Sequence, residues 1–416
     1  MKVWLVNQYA TPASQSGGTR HHSLARALRP LGLELEIFCS TRNYLTGAVI
    51  AQAGTTELDG VTFTFVDTGD APAVGRRSGR LATMFGFRRA FRRAARTRSD
   101  GPEVVVGSTP SLIGAWGAWE EAKRRRVPLV LEIRDLWPQT LVDVGGYSPW
   151  HPGVLAFGML ERALYRRAAH IITLLPQAAS HIRDRSARAP AITWIPNGVD
   201  LDLTVQGKGA ARSEAARARN GAFVVMYAGA HGPANALDAI LDAAALLERR
   251  QPGRFRFELI GDGHDKPRLQ ARARAEHLAS VVFRDPVSKA EIYPLLENAD
   301  ALIANMNAGT LYRSGISLNK LYDYLAVGRP VVFGADVADN PVIEADAGIT
   351  VPPNDAAALA VAVERVAALS PVEREAIGAR ARAYVETHHD VATLAERFAE
   401  VVRSVASGRR DTRGPA

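Results

Sequence analysis

The sequence predicts an α/β protein of two domains, each a mostly parallel sheet covered by helices, with a cleft between them. Three observations carry this. Short apolar runs of strand length alternate along the chain with segments of helical period, the pattern of parallel sheets buried on both faces. The alternation breaks at Ile195-Pro196-Asn197-Gly198-Val199-Asp200, where Pro, Asn, Gly and Asp favour turn backbone, and restarts at Phe223. A chain of 416 residues with 47% hydrophobic content is long enough for two cores.

In the first half, strands are expected at 3–6, 35–39, 61–66, 104–106, 129–133 and 171–174, with helices at 19–28, 112–124 and 154–168. Ligands of such sheets sit outside the carboxyl ends of the strands. The first of these ends leads into Gly17-Gly18-Thr19-Arg20-His21-His22. Its glycines allow close backbone approach and the helix start suits an anion or a sugar oxygen, although turns use Gly-Gly constantly. Residues 76–98 hold nine arginines and no acid, interleaved with Leu81, Met84, Phe85, Phe87 and Phe91. This composition reads as an interfacial helix lying on an anionic membrane surface, the alternative being a solvated helix whose phenylalanines enter the core. Glu132-Ile133-Arg134-Asp135-Leu136-Trp137-Pro138 follows a strand directly, where reactive groups are placed; a structural ion pair is the alternative there.

In the second half, strands are expected at 223–227, 255–260, 281–283, 301–304, 331–333 and 349–351. Gly229-Ala230-His231-Gly232 and Gly261-Asp262-Gly263 end two of them, and their glycines would let a nucleotide approach. Arg284-Asp285 is a candidate wall for its base. The most informative stretch is 313–332, RSGISLNKLYDYLAVGRPVV. Ser317 suits a helix N-cap, Leu318, Leu321 and Leu325 repeat at helical spacing, Gly328 suits the stop, and Pro330 forbids continuation. The loop Gly315-Ile316-Ser317 would then expose backbone N–H groups at the positive end of a helix, a phosphate site, with Lys320 as a nearby cation. Asp323 lies roughly 9 Å along the helix from Ser317, so one ligand could set a diphosphate on the helix start and a ribose diol on the carboxylate. A plain surface helix is the alternative. From Pro371 the pattern is helical, ending in a last helix over 394–405.

The net charge of +8 and pI near 9.8 point to an anionic partner: nucleotide, nucleic acid or lipid headgroups. No finger, helix-turn-helix or stacking platform supports nucleic acid. The single Cys39 excludes an internal disulfide framework and fits a reducing compartment. Neither a signal peptide nor an apolar run of spanning length is evident, so a cytoplasmic protein, soluble or peripheral on the inner face of the cell membrane, is expected.

The 315–332 segment resembles the donor-binding helix of the retaining glycosyltransferases of family 4, where an acid precedes Ala-x-Gly-x-Pro-Val-Val. Within that family it is most similar to bacterial cell-surface polysaccharide transferases, which carry Ser-Pro-Asn-Lys where this chain has Ser317-Leu318-Asn319-Lys320. The Glu-x-Arg-Asp-Leu-Trp-Pro and Pro-Asn-Gly-Val-Asp runs match as well. The resemblance implies the GT-B fold: an acceptor-binding Rossmann-like domain over 1–200, a donor-binding one over 201–389, and a last helix, about 390–406, crossing back to the first domain. The tail 407–416 is expected to be disordered.

It further implies transfer of a sugar, with retention, from a nucleotide diphosphate sugar to a hydroxyl acceptor carried on a lipid-linked saccharide, without metal or further cofactor. Arg134 and Asp135 are assigned to the acceptor, and Lys320 to the reacting diphosphate. The donor set is Gly17, Gly18, Gly229, His231, Gly261, Gly263, Arg284, Gly315, Ile316, Ser317, Asn319, Lys320 and Asp323. Two departures stand out. The family's pair of glutamates falls on Gly315 and Asp323, so only the second acid survives, one methylene shorter. The Arg and Lys that the family often places after the first strand of the second domain are missing from AGAHGPANALD, leaving Lys320, helix N-termini and His231 to neutralise the diphosphate. A soluble acceptor, a nucleotide-sugar epimerase of the same fold, a scaffold without activity and a basic binding protein are the alternatives.

Overall fold

The computed structural model describes all residues except 16, 45–46, 70–76, 144, 187, 189, 206–220, 310–311, 313–314 and 409–416. Most of the stretch between Asp200 and Phe223, Arg76 and Arg313, and most of the tail expected to be disordered lie outside the described residues.

The first sheet contains β1 (Lys2–Val6), β2 (Glu34–Ser40), β3 (Gly54–Leu58), β4 (Val61–Val66), β5 (Val104–Ser108), β6 (Leu129–Ile133), β7 (His170–Thr173) and β8 (Ile192–Trp194), in the order β3-β4-β2-β1-β5-β6-β7-β8. The second contains β9 (Phe223–Ala228), β10 (Phe255–Ile260), β11 (Val281–Arg284), β12 (Ala301–Asn305), β13 (Val331–Gly334) and β14 (Gly348–Val351), ordered β11-β10-β9-β12-β13-β14. All neighbours are parallel except β3 and β4. Two strands escaped the sequence reading: β3, GTTEL, is an exposed edge with no apolar run, and β8 has only three residues.

The helices that shape the site are α1 (Arg20–Leu28), α2 (Arg77–Arg96), α3 (Leu112–Arg125), α4 (Gln139–Asp143), α5 (Pro152–Arg167), α6 (Lys289–Glu297), α7 (Asn319–Val327), α8 (Pro371–His388) and α9 (Val391–Ala406). One face of the first sheet packs Val3, Leu5, Leu24 and Leu28 against Leu394, Phe398 and Val402 of α9. The last helix therefore completes the first core after the chain has built the second. It crosses beside Val199, whose N–H donates to the His389 carbonyl at 2.8 Å and whose carbonyl accepts the Val391 N–H at 3.0 Å.

The opposite face buries Trp4, Val6 and Phe38 under Phe87 and Phe91 of α2 and Leu164 of α5. The picture of α2 lying flat on a membrane is corrected here. Met84, Phe87 and Phe91, at i, i+3 and i+7, form the stripe that turns to the sheet, and they are 3%, 0% and 0% exposed. Of the apolar residues named for the interface, only Leu81 and Phe85 face out. Among the described residues, no helix is long and apolar enough to cross a membrane.

Candidate active site

The loop from β12 meets α7 at the carboxyl ends of the second sheet. The helix begins one residue later than expected: Leu318 is its N-cap, in extended backbone, and supplies no side-chain cap. Ser317 is committed elsewhere. Its Oγ accepts the Asn197 N–H at 3.2 Å and its carbonyl accepts the Asn197 Nδ2–H at 2.7 Å, tying this loop to the first domain. The start of α7 is thereby left open, with Asn319 partly exposed at its first position.

Lys320 reaches from the first turn of α7 toward β9. Its Nζ donates to the Tyr227 hydroxyl at 2.9 Å and to Asn235 Oδ1, and lies 4.6 Å from the centre of the Tyr227 ring. It sits against Gly229, where a Cβ would meet Nζ at 3.0 Å. Among the described residues no carboxylate pairs with this ammonium, and burial pushes its pKa down to about 7. A lysine from the helix thus fills the cradle of the AGAHGPANALD loop, which has no Arg or Lys of its own.

His231, at the end of β9, is fully buried, and neither ring nitrogen has a partner. Burial, then the nearby charge of Lys266, pushes it down to about 4, so the ring is neutral near pH 7. Its ring lies 5.9 Å from those of Tyr227 and Phe283. Gly261 and Gly263 have a role other than the one expected. Side chains there would collide with the carbonyls of Gly229 and His231, so these glycines let two strand-end loops pack on each other. The guanidinium of Arg284, expected to wall a base, turns back to Glu258 at 2.9 Å, while Lys266 ties the Gly261 and Arg284 carbonyls at 2.9 and 3.0 Å.

Asp323 sits one turn beyond Lys320 and faces α6. Oδ2 accepts from Lys289 Nζ at 2.5 Å and Oδ1 from the Tyr293 hydroxyl at 3.0 Å. Each oxygen keeps acceptor capacity beyond these bonds. Tyr324 pins the same helix to the end of β9 by donating to the Ala228 carbonyl at 3.1 Å. Gly315, in place of the family's first acid, has φ +89° and touches the first domain, where any side chain would overlap the Pro176 ring. Ile316 is 4% exposed and belongs to the core rather than to a ligand.

On the other side of the cleft, Gly17 and Gly18 lie beside Tyr44 and the Arg134 guanidinium; a Cβ at Gly18 would be 3.5 Å from Arg134 Nη2. The Arg134 N–H is fixed by Thr109 Oγ1 at 2.8 Å, and Asp135 is exposed. Beneath them Glu132 is fully buried and accepts from Arg20 Nε at 3.0 Å and Ser108 Oγ at 2.6 Å, with His21 Nε2 at 2.6 Å. Arg20 also donates to the carbonyls of Ile195 and Pro196. Burial alone would raise the Glu132 carboxyl; His21 and Arg20 overcome it and hold it well below the usual range. The ion-pair reading therefore applies to Glu132, while Arg134 and Asp135 are left for the cleft. Tyr44, Tyr227, Asn235, Lys289 and Tyr293 were not found from sequence, since no motif or period marks them.

Residues 16–198 match the profile of the glycosyl transferase 4-like domain, and residues 222–368 that of glycosyl transferases group 1. The D-inositol 3-phosphate glycosyltransferase of Kribbella flavida is 26% identical over 287 residues, and this stretch spans 65% of each chain. Sucrose-phosphate synthase from Thermosynechococcus elongatus superposes with a TM-score of 0.76 at 18% identity, covering 98% of this chain and 99% of that one. Anabaena HepE, in complex with UDP-glucose, gives 0.69 at 18% identity, covering 97% and 100%. At such identities these two likenesses concern the fold, and that fold is GT-B. The two profile matches, which together span most of the chain, show that it belongs to the family 4 type of glycosyltransferases.

Proposed function

We propose that the protein moves a sugar, with retention, from a nucleoside diphosphate sugar to a hydroxyl of a lipid-linked saccharide. The observation that carries this reading is Lys320: a half-buried ammonium that, among the described residues, has no carboxylate partner, beside an uncapped helix start. Both features favour a polyanion. The ribose diol would be accepted by Asp323, whose rotamer Lys289 and Tyr293 fix.

In the reaction the bond between the anomeric carbon and the β-phosphate oxygen breaks, and negative charge grows on that phosphate. Lys320 and the first N–H groups of α7 stabilise it electrostatically, which is the role otherwise given to a metal. The acceptor hydroxyl, set by Arg134 and Asp135 on the same face, forms the new bond to the anomeric carbon. Its proton passes to the departing phosphate oxygen, so the products are a nucleoside diphosphate and a glycoside of unchanged configuration. The lipid-linked acceptor draws support from the resemblance to cell-surface polysaccharide transferases. A soluble phosphorylated acceptor is the second reading, favoured by the names of the Kribbella and Thermosynechococcus proteins.

The test is transfer from UDP- and GDP-sugars to lipid-linked saccharides and to soluble sugar phosphates, with the anomeric configuration read by NMR. Retained configuration in a lipid product supports the proposal. Inverted product, or epimerised donor formed without acceptor, contradicts it.

A further inference from the structure

Residues from three segments of the chain close a circuit where the two domains meet. Asn197, in the turn that ends the first domain, donates its N–H to Ser317 Oγ at 3.2 Å and its Nδ2–H to the Ser317 carbonyl at 2.7 Å. The Tyr322 hydroxyl hydrogen-bonds the Ser317 side chain, and the Tyr322 ring stacks on His389 with centroids 3.9 Å apart. His389 Nδ1 returns to the Asn197 carbonyl at 3.0 Å. A carbonyl only accepts, so His389 carries a proton on Nδ1. Asn197, Tyr322 and His389 are all buried.

The turn is pinned within the first domain. Arg20, whose Nε is bonded to Glu132, donates to the carbonyls of Ile195 and Pro196. A Cβ at Gly198 would meet the His389 carbonyl at 2.9 Å and Leu394 Cδ1 at 2.8 Å, so this backbone lies directly on the last crossing of the chain. Asn197 is thus fixed on one side to the cluster beneath Arg134 and Asp135. On the other side it holds the residue just before the N-cap of α7.

Stability alone does not account for Asn197. Among the described residues its Oδ1 is buried without a partner, as is His389 Nε2, and orphaned buried acceptors cost free energy. Nor does the start of α7 need Asn197 for its shape. Lys320 is held by Tyr227 and Asn235, Asp323 by Lys289 and Tyr293, and Tyr324 by the Ala228 carbonyl, all within the second domain. What these bonds leave undetermined is where the helix stands relative to the other side of the cleft. We propose that Asn197 is a positioning residue: through Ser317 it sets the start of α7 against Arg134 and Asp135, and so the distance over which the acceptor hydroxyl meets the anomeric carbon. The catalytic consequence rests on the transfer reading above; the placement of the helix does not.

Pulsed electron spin resonance on the full chain reads that placement without substrate. Labels at Val49→Cys and His264→Cys sit on exposed positions at the two rims of the cleft, while the native Cys39 is buried. Adding Asn197→Ala should widen the distance distribution. The variant discards one bond and one orphan together, so it should melt close to the parent, with nucleoside diphosphate affinity within about twofold. Its kcat for transfer should fall about 10- to 100-fold with the donor KM nearly unchanged. Donor hydrolysis, in which water replaces the acceptor hydroxyl and yields nucleoside diphosphate and free sugar, should rise relative to transfer. Ser317→Ala should act likewise, and Ser317→Thr, which keeps the oxygen, should restore transfer. A distance distribution identical to the parent's overturns the proposal. So does a loss of nucleotide affinity as large as the loss in kcat, which would place Asn197 in the nucleotide site, and so does a less stable variant whose folded fraction transfers at the parental rate. A widened distribution in a protein whose parent transfers no sugar would leave Asn197 as the residue that places α7 and remove the transfer reading.

Discussion

The two sides of the cleft bury polar clusters that are wired in opposite ways. Under the acceptor side, Glu132 is matched by Arg20, His21 and Ser108, so its charge is answered within the domain. On the side of the second domain, among the described residues, Lys320 has no acid and His231 has no partner at either nitrogen. A buried ion pair is costly to break, whereas a half-buried cation without a carboxylate lowers stability and is kept where a ligand supplies the missing partner. The difference separates scaffold from site more sharply than burial does, since Glu132 and His231 are both 0% exposed.

The largest effect that could break this comparison is Glu132→Ala, which strands Arg20 without its anion. It should cost about 3–5 kcal/mol of stability in chemical denaturation, with the nucleotide affinity of the folded fraction unchanged. Restoring the family's first acid by Gly315→Glu should damage rather than repair the enzyme. Left-handed backbone there and the overlap with Pro176 should cost about 1–3 kcal/mol, and transfer activity should fall; a rise would show that the contact is not what excludes the acid.

The effect of pH comes next. Lys320 titrates at about 7 in the folded, ligand-free protein, against an ordinary value near 10.5. The unfolded chain therefore holds the extra proton between these values, and this group's contribution to stability rises with pH across that window. If the ammonium is what holds the diphosphate, affinity should be full below pH 7 and fall above it, by at most about tenfold per unit. Calorimetry in buffers of different ionisation enthalpy should reveal proton uptake at pH 8. The smallest effect is expected from Lys289→Met, which frees Asp323 to rotate. It should weaken nucleoside diphosphate binding about five- to tenfold through loss of one charged hydrogen bond, and narrow the preference over the 2′-deoxy analogue; an unchanged preference would make the pair a tie between helices.

How far the sequence could be read follows the range of the interactions. Interior strands such as LVLEI and FRFELI were legible because β-branched and aromatic runs are local, whereas the edge strand GTTEL has no apolar run to detect. Lys320 and Asp323 could be singled out from their spacing on one helix. Tyr227, Asn235, Lys289 and Tyr293, which hold them, come from distant segments and leave no periodic trace. Ser317 looked like a cap because its local sequence allows one, and a cross-domain bond to Asn197 took its oxygen instead. In α2, composition suggested a membrane face, while the spacing of Met84, Phe87 and Phe91 already marked a core stripe.

The most direct test is calorimetric titration of UDP, GDP and the corresponding nucleosides into the wild-type protein and Lys320→Met. One nucleoside diphosphate should bind the wild type and lose about 10- to 100-fold in the variant, while the weak binding of its nucleoside is unchanged and the ligand-free variant melts no lower than the parent. Equal diphosphate affinity in the two proteins, or a variant that is destabilised without ligand, would show that Lys320 belongs to the scaffold and would contradict the assignment of the donor site.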